Sequence, residues 1–183
     1  MTNNKWIALF ACISFTVSAH AQKYEREARI KASEMPAPAL TYLAKTYPER
    51  SRTRHYEEHS RQGEEESLQL FYESKFRMDG HRYSVKFDSL GALYDVERIV
   101  AFEQLPSPAR QAVQEDLGHT FRHFRIEKIQ ERYAPSGQLM GYEIEIRGKR
   151  DNTVGQFELQ YSPDGKRQSL EPIESDPNPF FFF

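Results

Sequence analysis

An internal repeat constrains the fold of this chain more than any other feature of its sequence. Residues 27–39 match residues 97–109, and residues 72–77 match residues 142–147, both at an offset of 70 positions. Further along, four residues match four others at an offset of 74, namely Tyr83, Val85, Phe87 and Gly91 with Phe157, Leu159, Tyr161 and Gly165. Such a repeat predicts a duplicated structural unit, with the extra residues of the second copy in the loop 148–155.

Each copy predicts a short helix followed by strands. Prolines suit the first turn of a helix, where the missing N–H costs little, and they precede both helical patterns at Pro36, Pro38, Pro106 and Pro108. Residues 39–47 and 109–117 have apolar residues at helical spacing, and the patterns stop at Pro48 and Gly118. Apolar and polar residues then alternate, as in strands with one buried face. The predicted strands are residues 52–60, 83–87, 93–102, 120–133, 142–146 and 157–161.

The fold class predicted from these elements is α+β. We expect a tandem repeat of a short helix packed on a three- to four-stranded antiparallel sheet, with the two sheets joined into one because joining hides an exposed edge of each. The predicted domains are a signal peptide (1–21), a first repeat (22–98), a second repeat (99–175) and a tail rich in proline and phenylalanine (176–183).

The first residues predict export from the cytoplasm. Lys5 is followed by an apolar stretch and then by Ala19-His20-Ala21, a small-x-small pattern typical of signal-peptide cleavage near Ala21. The predicted location is therefore the periplasm or the medium, with no transmembrane segment in the mature chain. Lipidation at Cys12 is the alternative, because residues 9–12 loosely resemble a lipobox.

Composition excludes several classes of function. Cys12 is the only cysteine and lies before the predicted cleavage site, so the mature chain has no thiol for a disulfide, a zinc-thiolate site or nucleophilic catalysis. Removal of residues 1–21 leaves 24 basic against 27 acidic residues, a formal charge of −3. A chain with this charge is not expected to bind nucleic acid, and no sequence motif indicates a cofactor.

The combined motifs resemble a known family. A Glu-x-x-Ile segment at residues 27–30, a Leu-Pro pair at residues 105–106, a Tyr-Pro pair at residues 47–48 and the segment 83–91 are similar to PepSY-like proteins of secreted Bacteroidetes origin, grouped with the beta-lactamase-inhibitor-protein (BLIP) fold. The resemblance covers residues 25–172. It implies an exported protein with a binding or inhibitory role and no fixed catalytic residues. The inhibitor that names the fold is disulfide-bonded, so the resemblance does not imply beta-lactamase inhibition.

One motif suggests a zinc peptidase. His55, Glu58 and His59 match the His-x-x-Glu-His pattern, which binds a metal only on a helix, where residues four apart share a face. The repeat places this segment opposite residues 124–129 in a predicted strand. Two histidines four residues apart in a strand stand about 13 Å apart and cannot share an ion. The peptidase is therefore the remote alternative, and neither a catalytic nor a metal site is predicted.

Two features predict binding. If the apolar strand residues point at the helices, the opposite sheet face presents charged residues of both signs, which favour specific contacts with a protein or peptide. These are Glu73, Lys75, Arg77, Lys86, Glu143, Glu145, Arg147 and Glu158. The second feature is the tail, whose four phenylalanines either cover a gap in the core or anchor the protein to an envelope partner. They are Phe180, Phe181, Phe182 and Phe183.

The leading hypothesis is therefore an exported, non-enzymatic binding or inhibitory module that uses the exposed sheet face to contact a protein or peptide of the cell envelope. The alternative is a structural or envelope-associated protein held by its aromatic tail. A merely solvated sheet face also remains open at this point.

Overall fold

The computed structural model describes residues 24–61, 68–151 and 153–173. It contains two α-helices, α1 (Ala37–Thr46) and α2 (Ser107–Thr120), each preceded by one turn of 3-10 helix. The nine strands are β1 (Tyr24–Ile30), β2 (Ser51–Arg61), β3 (Gln69–Met78), β4 (His81–Asp88), β5 (Leu93–Ile99), β6 (His123–Tyr133), β7 (Leu139–Arg150), β8 (Thr153–Tyr161) and β9 (Arg167–Ile173).

The nine strands form one antiparallel sheet in sequence order, β1 to β9. The predicted fold class, a tandem repeat of a short helix packed on a three- to four-stranded sheet, is therefore wrong. The described residues contain no separate small sheet, because β5 pairs with β6 from Val96↔Tyr133 to Ile99↔Gln130 and carries the hydrogen bonding across the middle of the chain. The predicted domain boundary between residues 98 and 99 lies inside β5, and the division into domains stays a prediction.

The two helices are confirmed apart from their ends. Each begins directly after a proline, and the second proline of each pair lies in the first turn, where its missing N–H costs no hydrogen bond. The sequence predicted an end at Gly118, but α2 continues to Thr120. The backbone N–H of Phe121 donates to the Leu117 carbonyl, and the Phe121 ring is buried, so packing of this ring extends the last turn beyond the glycine.

The hydrophobic core lies on one face of the sheet, beneath the helices. Ala39 and Leu43 of α1 pack with residues of β3, β4 and β5, while Val113 and Leu117 of α2 pack with residues of β6, β7 and β8. The strand register places both groups of strand residues on the same face, so both helices cover one side. The other side of the sheet carries no helix of the described chain.

Glycines in two hairpin turns allow the helices to approach the sheet. Gly91 has a φ of 85°, and a Cβ atom there would lie 2.8 Å from the Pro36 Cβ at the start of α1. Gly165 has the same φ, and its Cβ would lie 2.7 Å from the Ala109 carbonyl oxygen of α2. Only glycine tolerates both the left-handed conformation and this contact.

Candidate binding surface

The sheet face opposite the helices, which we call the polar face, carries rows of charged residues. Residues paired across antiparallel strands point to the same side, so Glu73 of β3, Lys86 of β4 and Asp95 of β5 form one row. On the other half of the sheet, Glu145 of β7 lies between Lys128 of β6 and Glu158 of β8. This pattern follows from the alternation of apolar and charged residues that builds the core on the other face.

The polar face encloses a groove with a volume of about 490 Å³. The groove is a depression in the polar face, and in this sense we call the groove concave. The groove crosses the sheet from β1 to β8. The charged residues that line it are Glu27, Arg52, Arg54, Glu73, Lys75, Arg77, Arg82, Lys86, Glu97, Lys128, Glu143, Glu145 and Glu158.

Ion pairs fill the floor of the groove near β1, β3 and β4. The Lys75 Nζ lies 2.6 Å from the Glu27 Oε1 and 2.8 Å from the Glu73 Oε2, and the Ser84 hydroxyl donates to Glu73. The Glu73 side chain is only 6% exposed. A buried carboxylate is stable only when it is paired, so these contacts fix the side chains in place.

A second ion pair lies beside the first. The Lys86 Nζ is 2.8 Å from the Glu58 Oε2, and the Glu58 side chain is 1% exposed. Carboxylate oxygens of Glu27, Glu58 and Glu73 lie within 4.8 Å of one another, close enough to share a cation. Two ammonium groups already contact all three carboxylates, so we interpret the cluster as an ion-paired part of the groove floor and not as a metal site.

The middle of the groove contains a further network around Glu97 of β5. Gln130 donates to Glu97 at 2.6 Å and to Glu143 at 3.4 Å. Arg132 of β6 lies 3.5 Å from Asp95 and 3.8 Å from Glu97. These contacts cross the β5–β6 pairing, so the polar groups hold together the two halves of the sheet.

Burial and crowding of carboxylates shift their pKa values. Burial, with the nearby charges of Glu143 and Asp95, raises the pKa of Glu97 to about 8, and burial together with Glu73 raises the pKa of Glu27 to about 7. Burial also raises the pKa of Asp95. For Glu73, burial acts upward, but Lys75, Ser84 and Lys86 together lower its pKa. The groove therefore holds both protonated and ionised carboxyl groups near neutral pH.

Solved structures of Bacteroides proteins share this architecture. A DUF2874 family protein from Bacteroides uniformis ATCC 8492 is 16% identical, with a TM-score of 0.56 and coverage of 80% of this chain and 95% of that chain. A BLIP-like protein from Bacteroides fragilis NCTC 9343 is 16% identical, with a TM-score of 0.54 and coverage of 78% and 91%. A proposed periplasmic protein from Bacteroides eggerthii DSM 20697 is 15% identical, with a TM-score of 0.56 and coverage of 78% and 93%.

The chain has the BLIP-like fold. At these sequence identities the likeness establishes the fold alone. No family model matches the sequence, and a search of curated proteins finds no relative. The BLIP part of the sequence resemblance is therefore confirmed, while the PepSY-like affiliation stays a prediction.

In this BLIP-like fold, seven of the eight sheet residues predicted to bind a partner line one groove. They are Glu73, Lys75, Arg77, Lys86, Glu143, Glu145 and Glu158. The eighth, Arg147, is an exposed residue of β7 outside the lining. Their binding role stays a prediction. Several of these side chains are buried or form ion pairs, so this part of the face is more than a row of solvated charges.

Sequence reasoning missed several groove residues. Glu27 was not identified because β1 was not predicted as a strand. Arg54 was not identified because β2 lacks the alternation of apolar and polar residues that would show which side chains point to which face. Glu97 and Arg132 stand directly opposite each other, but on β5 and β6, whose pairing joins distant parts of the chain. The alternation of Asp95, Val96 and Glu97 was the signal that could have found this part of the groove.

The histidine motif does not form a zinc site in the described chain. His55, Glu58 and His59 all lie in β2, where Glu58 points to the polar face and the two histidines point to the other face. The His55 ring is hydrogen-bonded to Ser74 at 2.8 Å, and the His59 ring to Glu57 at 2.8 Å. The strand conformation removes the zinc-peptidase hypothesis, because the helical spacing that the motif needs is absent.

Several predictions fall outside the described residues. These concern the signal peptide, the cleavage site near Ala21, lipidation at Cys12 and the tail Phe180, Phe181, Phe182 and Phe183. They stay predictions. Within the described ranges, neither helix has the length and apolar character required to cross a membrane.

Proposed function

We propose that the mature chain is an exported, non-enzymatic module that binds a protein or peptide of the cell envelope in the groove of the polar face. Three observations support export: the sequence of residues 1–21, the BLIP-like fold and the similarity to a proposed periplasmic protein. The location is the periplasm or the medium.

The single observation that carries the proposal is the concave groove itself. The residues of the hydrophobic core are sufficient to stabilise an antiparallel sheet. Its other face can be open to solvent and then needs no buried charged side chains. Instead, Glu58, Glu73 and Asp95 are almost fully buried within ion pairs on a face that neither α1 nor α2 covers. Ion pairs of this kind are costly to bury and fix side chains for recognition, which favours a preorganised binding surface.

The same contacts favour binding over catalysis. The Lys75 and Lys86 ammonium groups are held by carboxylates, so neither is a free base or nucleophile. The raised pKa of Glu97 is accompanied by hydrogen bonding from Gln130 and by Arg132, which position it in the floor of the groove. We interpret these shifts as consequences of a structural network.

A charge swap tests the proposal. The double variant Lys128→Glu with Glu145→Lys keeps an ion pair between β6 and β7. It places the negative charge on β6 and the positive charge on β7, the reverse of the native arrangement. The control swaps Arg150 and Asp151, an exposed ion pair at 3.4 Å whose residues do not line the groove. Mature protein carrying each swap is used to capture partners from envelope extract, with melting temperature measured in parallel.

We expect the groove swap to abolish capture of the partner while the control swap retains it, with both variants folded. Equal capture by both variants would contradict the proposal. If capture is instead lost only on deletion of Phe180–Phe183, the alternative of an envelope-associated protein held by its tail is supported.

A further inference from the structure

Four arginines at one end of the groove have no role in the network of its floor. Arg52 and Arg54 belong to β2, Arg77 to β3 and Arg82 to β4, and all four are exposed and line the groove. Among residues 24–61, 68–151 and 153–173, no carboxylate forms an ion pair with any of them. The other cations that line the groove differ, because each has a carboxylate partner, namely Lys75, Lys86 and Lys128.

The strands hold these arginines in an unfavourable arrangement. Arg77 lies directly opposite Arg82 in the β3–β4 pairing, and Arg54 lies opposite Lys75 in the β2–β3 pairing. Like charges directly opposite each other destabilise a sheet. Arg52 lies in a bulge with a φ of 55°, a left-handed conformation that costs further stability in a non-glycine residue. Within the described chain, no ion pair or side-chain hydrogen bond of these four arginines offsets these costs.

The other end of the groove has the opposite charge. Glu145 of β7, Glu158 of β8 and Glu171 of β9 stand in one row directly opposite one another. Glu145 and Glu158 line the groove, Glu171 lies beyond its lining, and Lys128 pairs with Glu145. Of the charged residues that line the groove, those on β2 to β4 are mainly basic and those on β7 and β8 are all acidic, so the groove is dipolar.

Granted the proposed function, we infer that the arginine cluster Arg52, Arg54, Arg77 and Arg82 binds the carboxylates of an acidic segment in a protein partner. A guanidinium group binds a carboxylate through two parallel hydrogen bonds, and such pairs would offset the repulsion between Arg77 and Arg82. Nucleic acid or an anionic polysaccharide fits less well, because its continuous charge would be repelled by the carboxylates farther along the groove.

The dipole also sets the direction of the bound segment. Its acidic end lies over the arginine cluster and its basic end over Glu145 and Glu158. From β4 to β8 the sheet spans four strand spacings, or roughly 19 Å, which about six residues of extended chain can cover. A partner segment with acidic and basic residues separated by about this distance fits the groove.

Labelled peptides test the inference. One peptide of about twelve residues has an aspartate block at one end and a lysine block at the other, and a second has the same residues in alternating order. Their binding to the mature protein is measured by fluorescence anisotropy, with heparin as a polyanion competitor. The variant is Arg77→Glu with Arg82→Glu, and the control is Arg26→Glu with Arg122→Glu, two exposed arginines outside the groove.

We expect the block peptide to bind more tightly than the alternating peptide, with about a tenfold loss in the cluster variant and no loss in the control. Equal binding of the two peptides, or unchanged binding by the cluster variant, overturns the inference. Tighter binding of heparin through the same arginines also overturns it and indicates a polyanion. If the swap at Lys128 and Glu145 abolishes capture from envelope extract while the cluster variant retains it, the proposed function stands and this inference fails.

Discussion

At the scale of single residues, the groove contains buried carboxyl groups, some of which keep their protons near neutral pH. The pKa of Glu97, about 8, lies above its ordinary value of 4.5 because of burial first and the charges of Glu143 and Asp95 second. The charge of Lys86 acts in the opposite direction on this pKa, and Arg132 lies 3.8 Å from the same carboxyl group. Between these two pKa values the folded chain keeps a proton that the unfolded chain has released, so stability falls as pH rises from about 5 to 8.

Substitution of Glu97→Gln removes this titration while keeping an acceptor for Gln130. The melting temperature of the wild type should fall between pH 5 and 8. In the variant we expect this fall to be smaller by roughly 2–4 °C, which corresponds to a free energy of unfolding of at least about 1 kcal/mol. Part of the fall in melting temperature remains in this variant, because the pKa of Glu27 is also raised, to about 7. Thermal unfolding followed by circular dichroism checks this, with Glu115→Gln on the exposed surface of α2 as control. A fall as steep as that of the wild type would contradict the burial of Glu97.

The arginine cluster makes a second prediction at this scale. Arg82→Glu replaces a repulsive cross-strand pair with an attractive one opposite Arg77, so stability should rise by roughly 0.2–1 kcal/mol. Urea unfolding measures the change, and Arg26→Glu, outside the groove, serves as the matched control. A clear loss of stability in Arg82→Glu would show that the arginine has a structural partner. A gain would mean that the native residue is retained at a cost to stability.

At the scale of elements, the hairpin turns determine how closely the helices approach the sheet. Gly91 and Gly137 have similar φ values, 85° and 81°, but only Gly91 contacts another element, the start of α1. Gly137→Ala should cost about 1 kcal/mol for the left-handed conformation alone. Gly91→Ala should cost at least about 1 kcal/mol more, because the new Cβ meets Pro36 and the Ala39 backbone. Equal losses in urea unfolding would contradict the close packing of α1 on this turn.

The helices, the glycine turns and the central strands could be predicted from sequence, because each depends on local residues. The proline pairs fixed the starts of α1 and α2, and alternation identified β4, β7 and β8. The edge strands β1 and β9 were missed, since their sequences are largely polar and lack alternation. Most of the predicted face residues meet in the groove, but its shape and its buried pairs depend on register between distant strands, which no local pattern contains.

At the scale of the whole molecule, the β5–β6 pairing determines whether the sheet behaves as one unit. Only four residue pairs join these strands, from Val96 to Ile99, but side chains reinforce them on both faces. Arg98 lies 2.6 Å from Glu131 on the helix side, and Arg132 contacts Asp95 and Glu97 on the polar face. The continuous sheet therefore predicts cooperative unfolding of both halves.

Fluorescent labels on single cysteines can test this cooperativity, because the predicted mature chain has no cysteine of its own. Thr41→Cys places the label on the exposed side of α1, and Gln111→Cys places it on α2. We expect coincident urea transitions from the two labels. Transitions that separate by more than the error of the midpoint would mean that the two halves of the sheet unfold independently.

The claim that the groove binds the partner is tested most directly by site-specific photo-crosslinking in envelope extract. A photoreactive residue at position 56 or 99 lies in the groove, and one at position 41 or 111 lies on the exposed side of the helices. We predict that positions 56 and 99 crosslink the same partner protein and that positions 41 and 111 do not. Crosslinks to that partner from the helix positions, with none from the groove, would contradict the account.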